Sequence, residues 1–195
     1  MSANFKYDLR RYNIFLESGV ESLFSIVNKF VFAYGLHAIA VYRFGRWIDL
    51  KIKSPVAAPL KVFLLSIYHL LAWMVRKAYD IHISKKTDIG PGLYIGHFGG
   101  IEVEDGCTIG SNCSISQYTK ILVDKNRGKP SQVGSKVWIG AYAVIEGYDI
   151  GDGATIAAGA CVRRNIDRCN LAVGNPARVV SKNYDNQEIL GTILL

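Results

Sequence analysis

Isoleucine recurs at six-residue intervals through Ile83, Ile89, Ile95 and Ile101. A helix returns to one face after about 3.6 residues and a strand after every second residue, so neither would choose that spacing. After a two-residue shift the series resumes as Val103, Ile109, Ile115 and Ile121. Beyond a polar excursion it returns as Val133, Ile139 and Ile145, slips by one, and continues as Ile150, Ile156 and Val162. Glycine follows the isoleucine at 89–90, 95–96, 109–110, 139–140 and 150–151. A short fixed period of this kind is the signature of a solenoid. Three hexapeptides make one triangular coil, with the aliphatic residue inward and small residues at the corners. There a positive φ costs glycine nothing. The coils stack in parallel and each buries its neighbour's face. The spacing predicts a mainly β chain, with a parallel β-helix over 81–182 and a C-terminal tail over 183–195.

Residues 1–80 have a different texture and read as helical. Val20, Leu23, Phe24, Val27, Phe30 and Val31 fall at helical spacing behind Ser18, a suitable N-cap. Pro55 and Pro59 break the chain before the apolar run 60–79. The uncharged stretch from Val62 to Val75 is shorter than the roughly 20 residues that cross a bilayer. The expectation is therefore a helical region that packs on the coils, supports trimer formation or lies in a membrane interface. Lys51, Lys53, Lys61, Arg76 and Lys77 flank the apolar surface, as an interfacial helix requires.

Charge is divided along the same boundary. Residues 1–80 carry 11 Lys and Arg against 5 Asp and Glu, while 81–195 carry 12 against 11. A basic half beside a neutral one suits an anionic surface. Nucleic acid is the weaker partner, because the basic residues interleave with aliphatic helix faces and no recognition motif is present. The polar start MSANFKYDLRRYN lacks an apolar stretch followed by a cleavage site. This predicts a cytoplasmic protein, peripheral at most to the inner face of the plasma membrane. Cys107, Cys113, Cys161 and Cys169 form no CxxC pair and read as reduced packing residues.

The repeat, together with VWIGAYAVIEG, IGDGATIAAGACV and AVGNPARVV, resembles the left-handed β-helix acyltransferases. Within them it is most similar to the serine acetyltransferase branch and to O-acetyltransferases of polysaccharide biosynthesis. The resemblance covers about residues 80–182. It implies a left-handed coil, a homotrimer (or a multiple of one) with active sites between subunits, and acetyl-CoA as donor. It identifies His97 in IGHFGGIEV with the family's catalytic base. The chemistry asks for such a group: an alcohol must lose its proton as it attacks a thioester, and imidazole is matched to neutral pH. Gly96, Gly99 and Gly100 would let acceptor and backbone approach closely, with a backbone N–H available to an oxyanion. Asp88, Glu102 and Glu104 are the nearby carboxylates that could orient the base.

For the donor, the resemblance matches Ala141, Ala157 and Ala158 on small corners, and Asn175, Pro176, Ala177 and Arg178 in the GNPARVV turn. Arg178 and Lys182 are the cations it offers to CoA phosphates. The excursion DKNRGKPS, with Lys129, projects from the coils and is a candidate wall of the acceptor site. Two departures bear on that acceptor. Serine acetyltransferases place an aspartate before the catalytic histidine, where this chain has Gly96, and a second histidine in a loop that here reads DKNRGKPSQVG. The charged partners of a small zwitterion are thus changed.

The function that follows is acetyl transfer to a sugar or glycan hydroxyl, in surface polysaccharide assembly, by direct attack with no covalent enzyme intermediate. The runner-up is serine O-acetyltransferase. A solenoid binding module without catalysis is the alternative of another class. No metal is expected: a zinc site of the anhydrase kind needs three histidines, and the coil region offers only His82 and His97.

Overall fold

The computed structural model describes residues 3–15, 33–97 and 99–190. The helix expected behind Ser18, with Val20, Leu23, Phe24, Val27, Phe30 and Val31, lies outside the described residues. Among the described residues, helices α1 (Ala3–Phe15), α2 (Tyr34–Lys51) and α3 (Ala58–Tyr79) precede sixteen short strands, and a final turn of helix, α4 (Gln187–Leu190), follows them. Pro59 begins α3 rather than separating it from what comes before. It sits in the first turn, where its missing N–H would have had no partner.

The strands form the three faces of a parallel β-solenoid. The first face stacks β1 (Ile81–Ile83), β4 (Ile101–Val103), β7 (Lys120–Asp124), β11 (Val144–Glu146) and β14 (Cys161–Val162). The second stacks β2 (Asp88–Ile89), β5 (Thr108–Ile109), β9 (Gln132–Val133) and β12 (Asp149–Ile150). The third stacks β3 (Tyr94–Ile95), β6 (Ser114–Ile115), β10 (Trp138–Ile139), β13 (Thr155–Ile156) and β15 (Leu171–Val173). Register follows the hexapeptides, with Ile89 over Ile109 and Ile109 over Val133 on the second face. On the third face Ile95, Ile115, Ile139 and Ile156 make one continuous column. All of these side chains are buried, so each coil supplies the apolar floor of the next.

The two-residue shift in the repeat is absorbed within one strand. Ile101 and Val103 both point inward from β4, two positions apart, and lie over Ile81 and Ile83. The polar excursion is a hairpin in which β8 (Lys129–Pro130) runs antiparallel to β7.

The glycines after isoleucine serve a different end from the one the repeat suggests. Their φ angles are not positive. A Cβ at Gly140 would fall 2.5 Å from the backbone nitrogen of Ala158 in the next coil, so the close stacking of turns is what excludes a side chain. The left-handed positions lie further round the corner, and many are not glycine: Asn112, Tyr118, Lys136, Tyr142 and Cys169 all have φ between 52° and 62°.

A solenoid needs its open ends covered, and α1 and α2 do this for the first coil. Asp8, fully buried, accepts hydrogen bonds from the N–H groups of Gly92 and Leu93 and holds the Arg43 guanidinium at 2.9 Å. Arg43 in turn donates to the carbonyls of Ile89 and Gly90. The Tyr12 hydroxyl bridges the N–H and C=O of Ile95, and Tyr42 does the same between Ile89 N–H and Thr87 C=O. Side chains thus stand in for the missing coil below β2 and β3. Burial also lowers the Arg11 pKa to about 10, while its guanidinium donates to Cys113 C=O and Ser114 Oγ. At the other end β16 (Arg178–Ser181) turns back antiparallel on β15 and closes the third face.

Cys107 and Cys113 are buried and unpaired, and Cys161 and Cys169 are free thiols as well. Burial pushes the Cys113 thiol up to about 11, which suits a packing role rather than a reactive one.

Candidate active site

The edge where the third face turns into the first gathers most of the predicted site. Successive corners there are residues 96–100, 116–119, 140–143, 157–160 and 174–177. His97 with Gly96, Gly99 and Gly100 occupies the lowest corner. Ala141 lies on the third, Ala157 and Ala158 on the fourth, and Asn175, Pro176 and Ala177 on the last. With coils about 4.8 Å apart, the lowest and highest corners are separated by roughly 19 Å.

His97 sits in the turn between β3 and β4 with its side chain exposed. Among the described residues no hydrogen bond or ion pair engages the imidazole. Its turn is nevertheless held on both sides. Gly99 N–H donates to Tyr79 C=O at 2.9 Å, and Gly100 N–H to Asp80 Oδ2 at 3.0 Å. Gly99 C=O then receives Tyr118 N–H from the corner above at 2.7 Å. Gly96 N–H donates to Ile115 C=O. The three glycine N–H groups are therefore already engaged, so none of them is a free oxyanion donor in this chain, contrary to the expectation from sequence.

Above the histidine turn the edge carries two tyrosines. Tyr118 and Tyr142 stack with ring centroids 4.7 Å apart and planes 11° from parallel. Both take left-handed backbone angles, where a bulky side chain is unusual, and both remain well exposed, at 44% and 61%. Tyr118 lies flat on the histidine turn. A Cβ at Gly100, itself at φ +59°, would come within 2.2 Å of the Tyr118 ring, so only glycine fits beneath it. The next corner opens again: a Cβ at Gly159 would meet nothing within 4 Å, and Ala158 is exposed. The result is an aromatic step on an edge whose upper corners carry mostly small residues.

At the top, Gly174 C=O accepts from Cys161 N–H and Ala177 N–H donates to Cys161 C=O. The Ala177 methyl is fully buried, so only the backbone of this residue can face a ligand. Arg178 pairs with Val173 at the edge and is exposed. Two predicted residues lie elsewhere. Lys129 is on the hairpin at the edge between the first and second faces, where its Nζ is 2.9 Å from Asp149 Oδ2. Lys182 follows the far end of β16, across the third face from Arg178. One subunit does not bring either to His97.

The three carboxylates that sequence offers to orient His97 are committed to other partners. Asp88 pairs with Arg46 at 2.9 Å, Glu102 approaches Lys120 at 3.6 Å, and Glu104 accepts from Val123 N–H at 2.7 Å. The carboxylate that touches the histidine turn is Asp80, which sequence reasoning missed. It closes α3 in a left-handed C-cap, φ 52°, directly before the first repeat. Its only signal in the sequence is that position, a lone acid between an apolar helix and the first Ile. Among the described residues no group of three or more His, Cys, Asp or Glu could hold a metal.

The family description "Hexapeptide repeat of succinyl-transferase" matches residues 88–117 and 130–164, and the chain carries that repeat. Over 154 residues it is 31% identical to the serine acetyltransferase of Salmonella typhimurium, covering 76% of this chain and 51% of that protein. The chain thus spans about half the length of the curated relatives it matches. Among solved structures, serine acetyltransferase from Brucella abortus superposes with a TM-score of 0.72 at 21% identity, covering 93% of this chain and 69% of that one. A serine acetyltransferase in complex with CoA gives 0.63 at 28% identity, covering 75% and 57%.

Proposed function

From a hexapeptide-repeat protein with an exposed histidine at the foot of one corner edge, we infer an acetyl-CoA-dependent O-acetyltransferase. The observation that carries this is the alignment of His97, the small corners at 141 and 158, and the 175–178 turn along one edge. Apart from the Tyr118–Tyr142 step, that edge has the length and the small side chains that an extended thioester donor needs. A relative of known structure binds CoA, which supports the donor.

His97 removes the acceptor's hydroxyl proton as the oxygen attacks the thioester carbonyl. The C–S bond then breaks and the departing thiolate takes the proton back from the imidazolium, so one base serves both steps. Asp80, fixed by Gly100 N–H, holds the turn that carries the imidazole and is a positioning residue. The homotrimer that the family resemblance implies would bring a second subunit to this edge, with its Lys129 hairpin as a wall of the acceptor site. Light scattering should then give three times 21.6 kDa, or a multiple of it.

The acceptor we favour is a sugar or glycan hydroxyl, of the kind found in surface polysaccharide assembly. The outer face of Tyr142, left open where Tyr118 is sandwiched between it and the histidine turn, supports it, because a flat aromatic face suits the C–H face of a pyranose ring. Gly96 leaves no charge beside the base to select a zwitterion. The relatives' names favour serine as the second reading. The experiment is thiol release from acetyl-CoA with L-serine set against a panel of nucleotide sugars, lipid-linked sugars and oligosaccharides. Turnover on a saccharide with little on serine is expected; serine turnover alone would select the second reading, and no turnover with any hydroxyl would overturn the function.

A further inference from the structure

The helix that leads into the histidine turn is apolar on its outside. Within Pro55–Tyr79 an 18-residue window reaches a mean hydropathy of 1.6, yet only 6% of that window is buried. The inner stripe, centred on Tyr68 and Val75, packs on α2, with the Tyr68 ring against Gly45. The outer stripe exposes Val62, Phe63, Leu70, Trp73 and Met74, each more than half accessible. At 25 residues this segment is long enough to cross a bilayer, but its attachments hold it flat on the body. Lys61 reaches Asp49 on α2 at 3.9 Å. Lys85, in the first coil, pairs with the same Asp49 at 3.0 Å and lies over Tyr68. A helix fixed lengthwise to a polar domain can present one face to lipid but cannot be surrounded by it.

Charge identifies the occupant. Residues 51–79 contain no Asp or Glu, and exposed Lys51, Lys53 and Lys77 stand at the two ends of the apolar stripe. Arg76 is left out of this collar because it lines a cleft with Glu102 and Glu104. A second copy laid on the same face, parallel or antiparallel, would set lysine ends against lysine ends. An anionic bilayer meets both features at once: hydrocarbon for the stripe and headgroup charge for its ends. The helix also ends where the chemistry begins, since Tyr79 C=O and Asp80 Oδ2 hold Gly99 and Gly100.

We propose that the outer face of α3 is a docking surface for anionic membrane, and that it delivers the His97 edge to acceptors anchored in that membrane. The second half rests on the acetyltransferase function; the first does not. The test is flotation of the full chain with phosphatidylcholine vesicles, with and without phosphatidylglycerol, over a range of salt. Wild type should float with the anionic vesicles and lose binding as salt rises. Phe63→Asp/Trp73→Asp should elute at the wild-type size and stay at the bottom. Lys51→Gln and Lys53→Gln should each weaken partitioning about five-fold. His97→Ala should float like wild type while losing turnover, and the Phe63/Trp73 variant should keep turnover of a soluble oligosaccharide, which separates docking from catalysis. A wild type that stays unbound at low salt would overturn the proposal, as would a Phe63/Trp73 variant that changes oligomeric size, since that face would then be a contact between copies.

Discussion

The coils and the helical cap beneath them are stabilised in different ways. In the coils, Ile95, Ile115, Ile139 and Ile156 repeat one contact up a column, and each is replaceable in kind by its neighbour. In the cap, Asp8, Tyr12, Tyr42 and Arg43 close the sheet ends through individual side-chain hydrogen bonds that the repeat does not supply. Repetition spreads stability over many equal parts, whereas closing an open end concentrates it in a few buried polar groups. The corner edge belongs to neither kind: its exposed residues are displayed by the coils without supporting them.

The sharpest way to separate display from support is His97→Ala. Losing a general base should lower turnover about 10²–10⁴-fold, while urea midpoints stay at the wild-type value because the imidazole is exposed and unbonded among the described residues. Asp8→Ala should act in the opposite sense. It strands a buried Arg43 and two backbone N–H groups, and breaking such a pair costs about 3–5 kcal/mol; chemical denaturation should register it. Ile139→Ala tests the repeated column and should cost about 2–5 kcal/mol by cavity formation, again by denaturation. If Asp8→Ala proved milder than Ile139→Ala, the contrast between concentrated and distributed stability would fail. The smallest effect on folding is expected from Tyr142→Gly. Relief of a left-handed backbone (about 1–2 kcal/mol) offsets the lost ring stack (about 0.5–1.5 kcal/mol), leaving stability within about 1 kcal/mol. The KM for a saccharide acceptor should nonetheless rise several-fold.

The same contrast explains what the sequence reveals. A column of buried isoleucines is written as a period, so the solenoid, its three faces and the exposed histidine are legible from spacing and resemblance. The cap is not periodic. Asp8 meets Gly92 and Leu93 across more than eighty residues of chain, and no local pattern announces a buried carboxylate that closes a sheet end. Asp80 was hidden for a related reason: it acts through a single backbone contact set by how α3 enters the first coil. The glycines were legible as small residues but not for the right cause, because close passage of the next coil is a property of stacking and not of one corner. Lys129 and Lys182 looked near the site in sequence, yet the hairpin and the reversed β16 carry them to other edges.

The account rests on one edge serving as the donor groove, and amide hydrogen exchange with and without CoA tests that most directly. CoA should slow exchange at 140–142, 157–159 and 174–178, with little change in the cleft lined by Ser135, Lys136 and Tyr184 at the edge between the second and third faces. Protection confined to that cleft, or to the α1–α2 cap, would contradict it.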